Sequence, residues 1–122
     1  MEGSIKKNVV QKDWGYEIIW ASKENYGGKI LIFNNKNART PFTLHSLTEK
    51  TWFINTGVFF IRWIDTSNGK LLQQELKEGD VFDIGKLVPV SAECLSDNGS
   101  ITEANSGIKD DSHIILQAGS IK

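Results

Sequence analysis

Short β-type runs separated by turn signals occur along the whole sequence, and they constrain the fold more than any other feature. The runs are rich in β-branched and aromatic residues, and no segment has a convincing helical period. They cover residues 5–10, 16–21, 29–33, 51–54, 58–64, 70–76, 81–84, 88–95, 101–104 and 113–117. Many short strands at this spacing predict an all-β sandwich or barrel.

Glycine-containing turns lie between the runs. The pairs Asn68-Gly69 and Asn98-Gly99 predict tight hairpins, because both residue types tolerate positive φ. Residues 34–41 and 104–112 are polar and predict exposed loops. The chain has 122 residues and shows no repeat or interdomain linker, so we expect one domain over residues 1–122.

The balance of charges and the single cysteine indicate which binding partners and which cellular compartment to expect. Lys plus Arg number 14 against 15 Asp plus Glu, which predicts no basic surface for nucleic acid or an anionic membrane. No apolar run approaches the roughly 18 to 20 residues of a membrane span, and the first residues lack a secretory signal pattern. Cys94 has no second cysteine to pair with, which fits a reducing compartment. We therefore expect a soluble, cytoplasmic protein.

The stretch from Thr43 to Gly57 contains the main candidates for chemistry. His45, Glu49 and Lys50 stand just ahead of a β-type run. The stretch resembles the first signature of the cupin family, in which a strand carries His-x-His and a metal-binding Glu lies seven residues before a Gly. Counting back from Gly57 puts Lys50 at the Glu position, His45 at the second His and Thr43 at the first. The resemblance implies a cupin-type double-stranded β-helix, or jelly-roll barrel.

Other landmarks are similar to one branch of the cupins, that of type II mannose-6-phosphate isomerase and the C-terminal domain of mannose-1-phosphate guanylyltransferases. Residues 12–17 are similar to a Lys-Pro-Trp-Gly-x-Glu opening, with Asp13 at the proline position. Residues 78–82 begin the second cupin signature, in which Val90 takes the place of the metal-binding His. Residues 110–114 are similar to the closing segment of that branch.

The metal site that this resemblance implies is mostly replaced. A catalytic divalent site needs about three protein ligands, and Thr43, Lys50 and Val90 are not ordinary ligands. His45 and Glu49 form a two-residue remnant that would bind a divalent metal only weakly. Three more distant residues are candidates to complete it: His113, Asp83 and Glu103. We expect no cofactor, with His45 hydrogen-bonded in the barrel mouth and Glu49 in solvent.

Lys50 suggests that an ammonium group replaces the metal ion as the positive charge in the barrel, because it would lie where the family holds that ion. If a strand begins there, Lys50, Trp52 and Ile54 share one face, since side chains alternate along a strand. Thr43 and His45 also share a face, and the family frame turns both sets inward. Such a cavity suits a small anionic or hydroxyl-rich ligand. The alternative is that Lys50 extends to the barrel mouth and binds nothing.

Three classes of function stay open at this point. The first is a degenerate cupin that binds a small carbohydrate-like or anionic molecule, through Thr43, His45, Lys50, Trp52 and Val90. The second is a sugar-phosphate or nucleotide-sugar isomerase or epimerase, as the resemblance implies, with His45 and Lys50 as candidate acid–base catalysts. The third is a non-catalytic structural or interaction protein, with Trp52 and Phe60 packed across a closed cavity.

The run around Phe60 also predicts a subunit contact. Phe59, Ile61 and Trp63 alternate with Phe60 and Arg62, so that one face is apolar and the other partly apolar. Only one of these faces can lie inside a barrel, and apolar residues left outside favour association. A dimer is also common among cupins. We expect a homodimer that binds a small-molecule ligand, without nucleic-acid or membrane partners.

Overall fold

The computed structural model describes residues 8–107 and the backbone of residues 112–116. Every regular element in this part of the chain is a β-strand, which confirms the all-β fold class. The strands are β1 (Val9–Lys12), β2 (Gly15–Ser22), β3 (Gly27–Phe33), β4 (Phe42–His45), β5 (Lys50–Thr56), β6 (Val58–Asp65), β7 (Lys70–Lys77), β8 (Val81–Ile84), β9 (Val90–Cys94), β10 (Gly99–Asn105) and β11 (Ser112–Leu116). Among them β4 lies where no β-type run was predicted.

The strands form two antiparallel sheets that face each other. One sheet has the order β1-β2-β3-β10-β5-β8, and the other has the order β11-β4-β9-β6-β7. After β3 the chain changes sheet at every connection except the β6–β7 hairpin. This winding inserts β10 between β3 and β5, so that residues far apart in sequence meet inside the barrel.

Alternation along the strands builds the core. On β5, Trp52 and Ile54 are buried while Phe53 between them is 43% exposed, as period-two side chains require. On β6, Phe59 and Ile61 are fully buried. Cys94 on β9 is buried as well. Apolar side chains of both sheets therefore fill one part of the barrel.

The two Asn-Gly pairs have different roles. Asn68-Gly69 lies in the β6–β7 hairpin, where Gly69 has a φ of 72°, and this hairpin prediction is confirmed. The Asn98-Gly99 prediction is wrong, because this pair connects β9 and β10, which lie in different sheets. A Cβ on Gly99 would come within 2.8 Å of the Phe59 ring. Gly99 therefore allows β10 to pack closely on the core.

The outer side of β6 is covered by charged groups of the same chain. Phe60 is half-buried there, with the Arg62 guanidinium 5.3 Å from its ring centroid. Arg62 in turn donates a hydrogen bond of 2.7 Å to the Glu93 carboxylate. Because Phe60 lies on the opposite face from the buried Phe59, it does not reach into the barrel. The packing of Trp52 against Phe60 across a closed cavity, which the third class of function would require, is therefore not formed.

The predicted loops agree with the structure over most of their length. Residues 34–41 contain no strand, only an isolated bridge between Arg39 and Glu93. The second loop begins later than predicted, because β10 extends to Asn105, and residues 108–111 lie outside the described residues. No helix long and apolar enough to cross a membrane occurs in the described part of the chain.

Candidate ligand-binding site

A cavity of about 480 Å³ lies in the barrel, lined by residues of β1 to β5 and of the loop before β4. Buried Glu17 and Trp52 contribute to its wall, together with the half-buried Lys29. Exposed Lys12 and Arg39 lie at its rim. The cavity is therefore charged both inside and at its mouth.

The sequence-predicted residues divide between this cavity and the core. Thr43, His45, Lys50 and Trp52 all line the cavity. Val90 is directly opposite Thr43 in the sheet register, but it is 1% exposed and belongs to the hydrophobic core. The structure thus brings together the residues of β4 and β5, while Val90 packs against other apolar side chains.

Three buried charged side chains and the half-buried Lys29 form a group, which we call the charge quartet: Glu17, Lys29, Lys50 and Glu103. Glu103 on β10 lies directly opposite Lys29 on β3. Lys29 Nζ is 3.1 Å from Glu17 Oε2, and Lys50 Nζ is 4.0 Å from Glu103 Oε1. Two lysines and two glutamates balance each other, which is the usual requirement for charge inside a protein.

Glu103 has the most contacts of defined geometry in the charge quartet. Its carboxylate accepts a 2.9 Å hydrogen bond from Trp52 Nε1 and a 3.0 Å bond from Asn105 Nδ2. Burial by itself raises the pKa of this carboxyl group, but the positive charges of Lys50 and Lys29 and the two hydrogen bonds outweigh it and hold the pKa below its usual value. Glu103 is therefore an ionised acceptor.

The two lysines respond differently to the same surroundings. Burial lowers the pKa of Lys29, but the charges of Glu103 and Glu17 outweigh it, and the net shift is upward. For Lys50, burial dominates and Lys29 adds repulsion, so that its pKa is lowered despite Glu103. As the pH rises, Lys50 therefore loses its proton before Lys29 does.

Lys50 also borders a second cavity of about 180 Å³. Lys29, His45 and Lys50 line both cavities, and they separate one from the other. Glu103 and Asn105 line the second cavity. The Lys50 side chain can therefore be approached from two sides, although its residue is only 8% exposed.

Comparison with known proteins identifies the architecture. No family model and no curated protein matches the sequence. CapF of Staphylococcus aureus, a capsular polysaccharide assembling protein, superposes with a TM-score of 0.80 at 13% identity over 93% of this chain and 32% of CapF. Oxalate decarboxylase from Bacillus subtilis gives a TM-score of 0.79 at 12% identity over 93% of this chain and 33% of that chain.

A smaller protein shares the same architecture. KdgF from Halomonas sp. gives a TM-score of 0.66 at 17% identity, over 78% of this chain and 80% of that chain. All three are cupins. The chain has the cupin fold. It spans about a third of the length of CapF and of oxalate decarboxylase, and the predicted cupin-type barrel is confirmed.

The described residues contain no group of three His, Cys, Asp or Glu side chains that could hold a metal ion. Glu49 is exposed in the loop between β4 and β5, where its backbone N–H donates to Ser106 Oγ. Asp83 accepts a 2.6 Å hydrogen bond from Thr51 Oγ1 and lines neither cavity. The side chain of His113 lies outside the described residues.

Sequence reasoning missed half of the charge quartet. Glu17 and Lys29 were not among the predicted site residues, and Glu103 was considered only as a metal ligand. A usable signal existed, because Lys29 shares its strand face with Leu31 and Phe33 and is therefore aimed inward. A charged residue in register with buried apolar residues marks an interior site.

Proposed function

We propose that the cupin barrel binds a small carbohydrate-like or anionic molecule around Lys50, without a complete metal site. The observation that carries this proposal is the position of Lys50, which is 8% exposed and lines a cavity of about 480 Å³. The sequence resemblance implies a metal ligand at the same position. An ammonium there supplies a positive centre without a metal ion. Weak divalent binding by His45 and Glu49 is compatible with the proposal.

The chemistry of the wall supports a hydroxyl-rich ligand with a negative group. Lys29 and Lys50 supply hydrogen-bond donors, and Glu17 supplies acceptors. Hydroxyl groups use both kinds of partner, which matches the mixed wall. Lys12 and Arg39 at the rim favour a phosphate or carboxylate near the mouth. Sugar phosphates and nucleotide sugars are the ligand classes that combine these features.

A thermal-shift panel of sugar phosphates and sugar carboxylates tests this proposal. We expect a saturable rise of Tm for wild type and a rise at least several-fold smaller for Lys50→Met, which keeps the side-chain volume but removes the charge. Lys70→Met on the exposed face of β7 is the matched control, and it should respond like wild type. An unresponsive wild type, or an equal response from Lys50→Met, would contradict the proposal.

The metal-free part of the proposal has its own test. Elemental analysis of the purified protein should find less than one transition metal per subunit. One stoichiometric metal, lost together with a His45→Ala substitution, would show that the imidazole anchors a complete site.

A sugar-phosphate or nucleotide-sugar isomerase or epimerase is the second candidate. Three candidate acid–base groups line the smaller cavity and favour this function: His45, Lys50 and Glu103. Lys50 Nζ lies 4.0 Å from Glu103 Oε1. Mannose 6-phosphate in D₂O should then incorporate deuterium at the carbon next to the carbonyl, as NMR would detect. If no deuterium is incorporated, the binding function is retained and this isomerase activity is not. No response to any panel member would favour an interaction protein.

We also propose that the protein is a homodimer. Phe53 and Val81 are directly opposite each other on β5 and β8, and they are 43% and 57% exposed. Light scattering after size exclusion should give twice the chain mass, and Phe53→Lys should shift the population to monomer. A monomeric wild type at high micromolar concentration would refute this.

A further inference from the structure

We propose that Lys50 is a covalent capture site, whose amine forms an imine with the carbonyl group of a small anionic ligand such as an open-chain sugar phosphate. This inference rests on the proposed function, because the carbonyl compound must first bind in the same cavity. Three observations carry it: the amine is enclosed, it is not held by a short hydrogen bond to its counterion, and a second cation lies nearby.

The first observation is the enclosure of the amine. The Lys50 side chain is 7% exposed, and its Nζ lies 5.1 Å from the centroid of the Trp52 ring. It borders cavities of about 480 and 180 Å³. A ligand carbonyl in either cavity could therefore reach a nitrogen that bulk water reaches poorly, and exclusion of water favours an imine over its hydrolysis.

The second observation is the geometry between Lys50 and Glu103. Their 4.0 Å separation is an ion pair through space and is too long for a hydrogen bond. The carboxylate is instead held by Trp52 Nε1 and Asn105 Nδ2, at 2.9 and 3.0 Å. The anion is thus fixed in place by other donors, and it does not hold the amine by a short hydrogen bond.

The third observation is the neighbouring cation. Lys29 stays charged because Glu17 and Glu103 raise its pKa against the effect of burial. Burial, reinforced by the Lys29 charge, lowers the pKa of Lys50. A lysine that is desolvated beside a second cation is the usual arrangement for an amine that must be neutral to attack a carbonyl.

The reaction needs no reagent beyond the amine and the carbonyl. The neutral Lys50 nitrogen attacks the carbonyl carbon, a C–N bond forms, and the oxygen becomes a hydroxyl after taking one proton from the nitrogen. That hydroxyl leaves as water with the second nitrogen proton, which leaves a neutral imine. When the imine takes up a proton, its positive charge again faces Glu103, so that the charge quartet keeps its balance.

Reductive trapping on the full chain tests the inference. The protein is incubated with glyceraldehyde 3-phosphate and sodium cyanoborohydride, and modified lysines are mapped by peptide mass spectrometry. We expect the adduct at Lys50 to exceed that at the exposed Lys36 and Lys70 at least ten-fold, and glycerol 3-phosphate, which has no carbonyl, to suppress it. A Lys50 adduct no more abundant than those at the exposed lysines would overturn the inference.

The pH dependence of trapping provides a second readout. Removal of the Lys29 charge should raise the pKa of Lys50, because that charge contributes to lowering it. The trapping profile of Lys29→Met should therefore move to higher pH than that of wild type. A merely structural role for Lys29 would change the yield at every pH without moving the profile, and an unmoved profile would count against the mechanism.

The outcomes separate this inference from the proposed function. If glyceraldehyde 3-phosphate and glycerol 3-phosphate both raise the Tm of wild type and neither raises that of Lys50→Met, but no adduct forms at Lys50, binding stands and covalent capture fails. If neither compound binds and nothing is trapped, both fail for this ligand class. Specific trapping at Lys50 supports both.

Discussion

Replacement of Glu103 by glutamine should destabilise the barrel more than any exposed charge change. Glu103 is 4% exposed and holds Lys50, Trp52 and Asn105 in place. The substitution keeps the shape of the side chain and removes its charge. Lys50 and Lys29 then lie together in the barrel with one carboxylate fewer.

The magnitude can be worked from these contacts. Loss of one partner from a buried ion pair costs about 3–5 kcal/mol. Trp52 and Asn105 donate to different oxygens of Glu103, so the glutamine NH₂ would face one of these donors. Asn105 cannot rotate freely to correct this, because its Oδ1 already accepts from the Gly107 N–H at 3.0 Å. We therefore expect a loss of about 3–5 kcal/mol near neutral pH.

The loss should shrink as Lys50 loses its proton. The pKa of Lys50 is already lowered by burial, and loss of its counterion lowers it further. A neutral Lys50 carries no charge for the Glu103 carboxylate to balance, so removal of that carboxylate costs less stability. Urea unfolding of Glu103→Gln and wild type at about pH 6 and about pH 9 should therefore give the larger difference at the lower pH.

A double-mutant cycle and a matched control make the test decisive. Lys50→Met combined with Glu103→Gln should lose about 0.5–3 kcal/mol less than the sum of the single changes, because the double variant leaves a neutral Lys29–Glu17 pair. Glu75→Gln on exposed β7 should stay within about 0.5 kcal/mol of wild type. A Glu103→Gln loss below about 1 kcal/mol, additive with Lys50→Met, would refute this account of the charge quartet.

Acid stability, one glycine and one surface ion pair give three further predictions. Because the pKa of Glu103 is lowered in the fold, from 4.5 for a free side chain, its contribution is present above that value and is lost as the pH falls through the folded pKa. Wild type should therefore lose stability more steeply in acid than Glu103→Gln. Gly99→Ala should lose about 1–3 kcal/mol, because its Cβ would lie 2.8 Å from the Phe59 ring. Arg62→Ala should lose about 1 kcal/mol with its 2.7 Å contact to Glu93, and salt should reduce the difference.

Urea unfolding curves measure all three effects. Parallel acid limbs for wild type and Glu103→Gln would show that the fold does not shift the pKa of Glu103. An unchanged Gly99→Ala midpoint would mean that Phe59 moves without cost. A salt-independent loss for Arg62→Ala would assign its role to packing on Phe60 rather than to charge.

The fold was largely readable from the sequence, because alternation and turn residues are local signals. The strands β5 and β6 follow directly from period-two patterns that separate Trp52 from Phe53 and Phe59 from Phe60. No β-type run marked the strand β4, which directly follows Pro41, and only the cupin resemblance implied a strand there. The hairpin predicted at Asn98-Gly99 was wrong because a local turn signal does not determine which sheet each flanking strand joins.

The sequence predicted the site only in part, because part of it depends on contacts between residues that are distant in sequence. The inward direction of Lys50 follows from alternation on its own strand. Its ion pair with Glu103 depends on the insertion of β10 between β3 and β5, which brings together residues separated by more than fifty positions. No local pattern predicts that pairing, although the strand face that Lys29 shares with Leu31 and Phe33 does indicate its inward direction.

Trp52 makes the centre of the barrel optically observable. Its indole N–H donates to Glu103, and its ring lies 5.1 Å from the Lys50 ammonium, so the emission of this indole should change whenever the surrounding charges change. Trp20 is 53% exposed, and a Trp20→Phe background would remove much of the solvent-facing fluorescence. Proton loss at Lys50 and the arrival of a ligand could then be followed in real time, without an added dye.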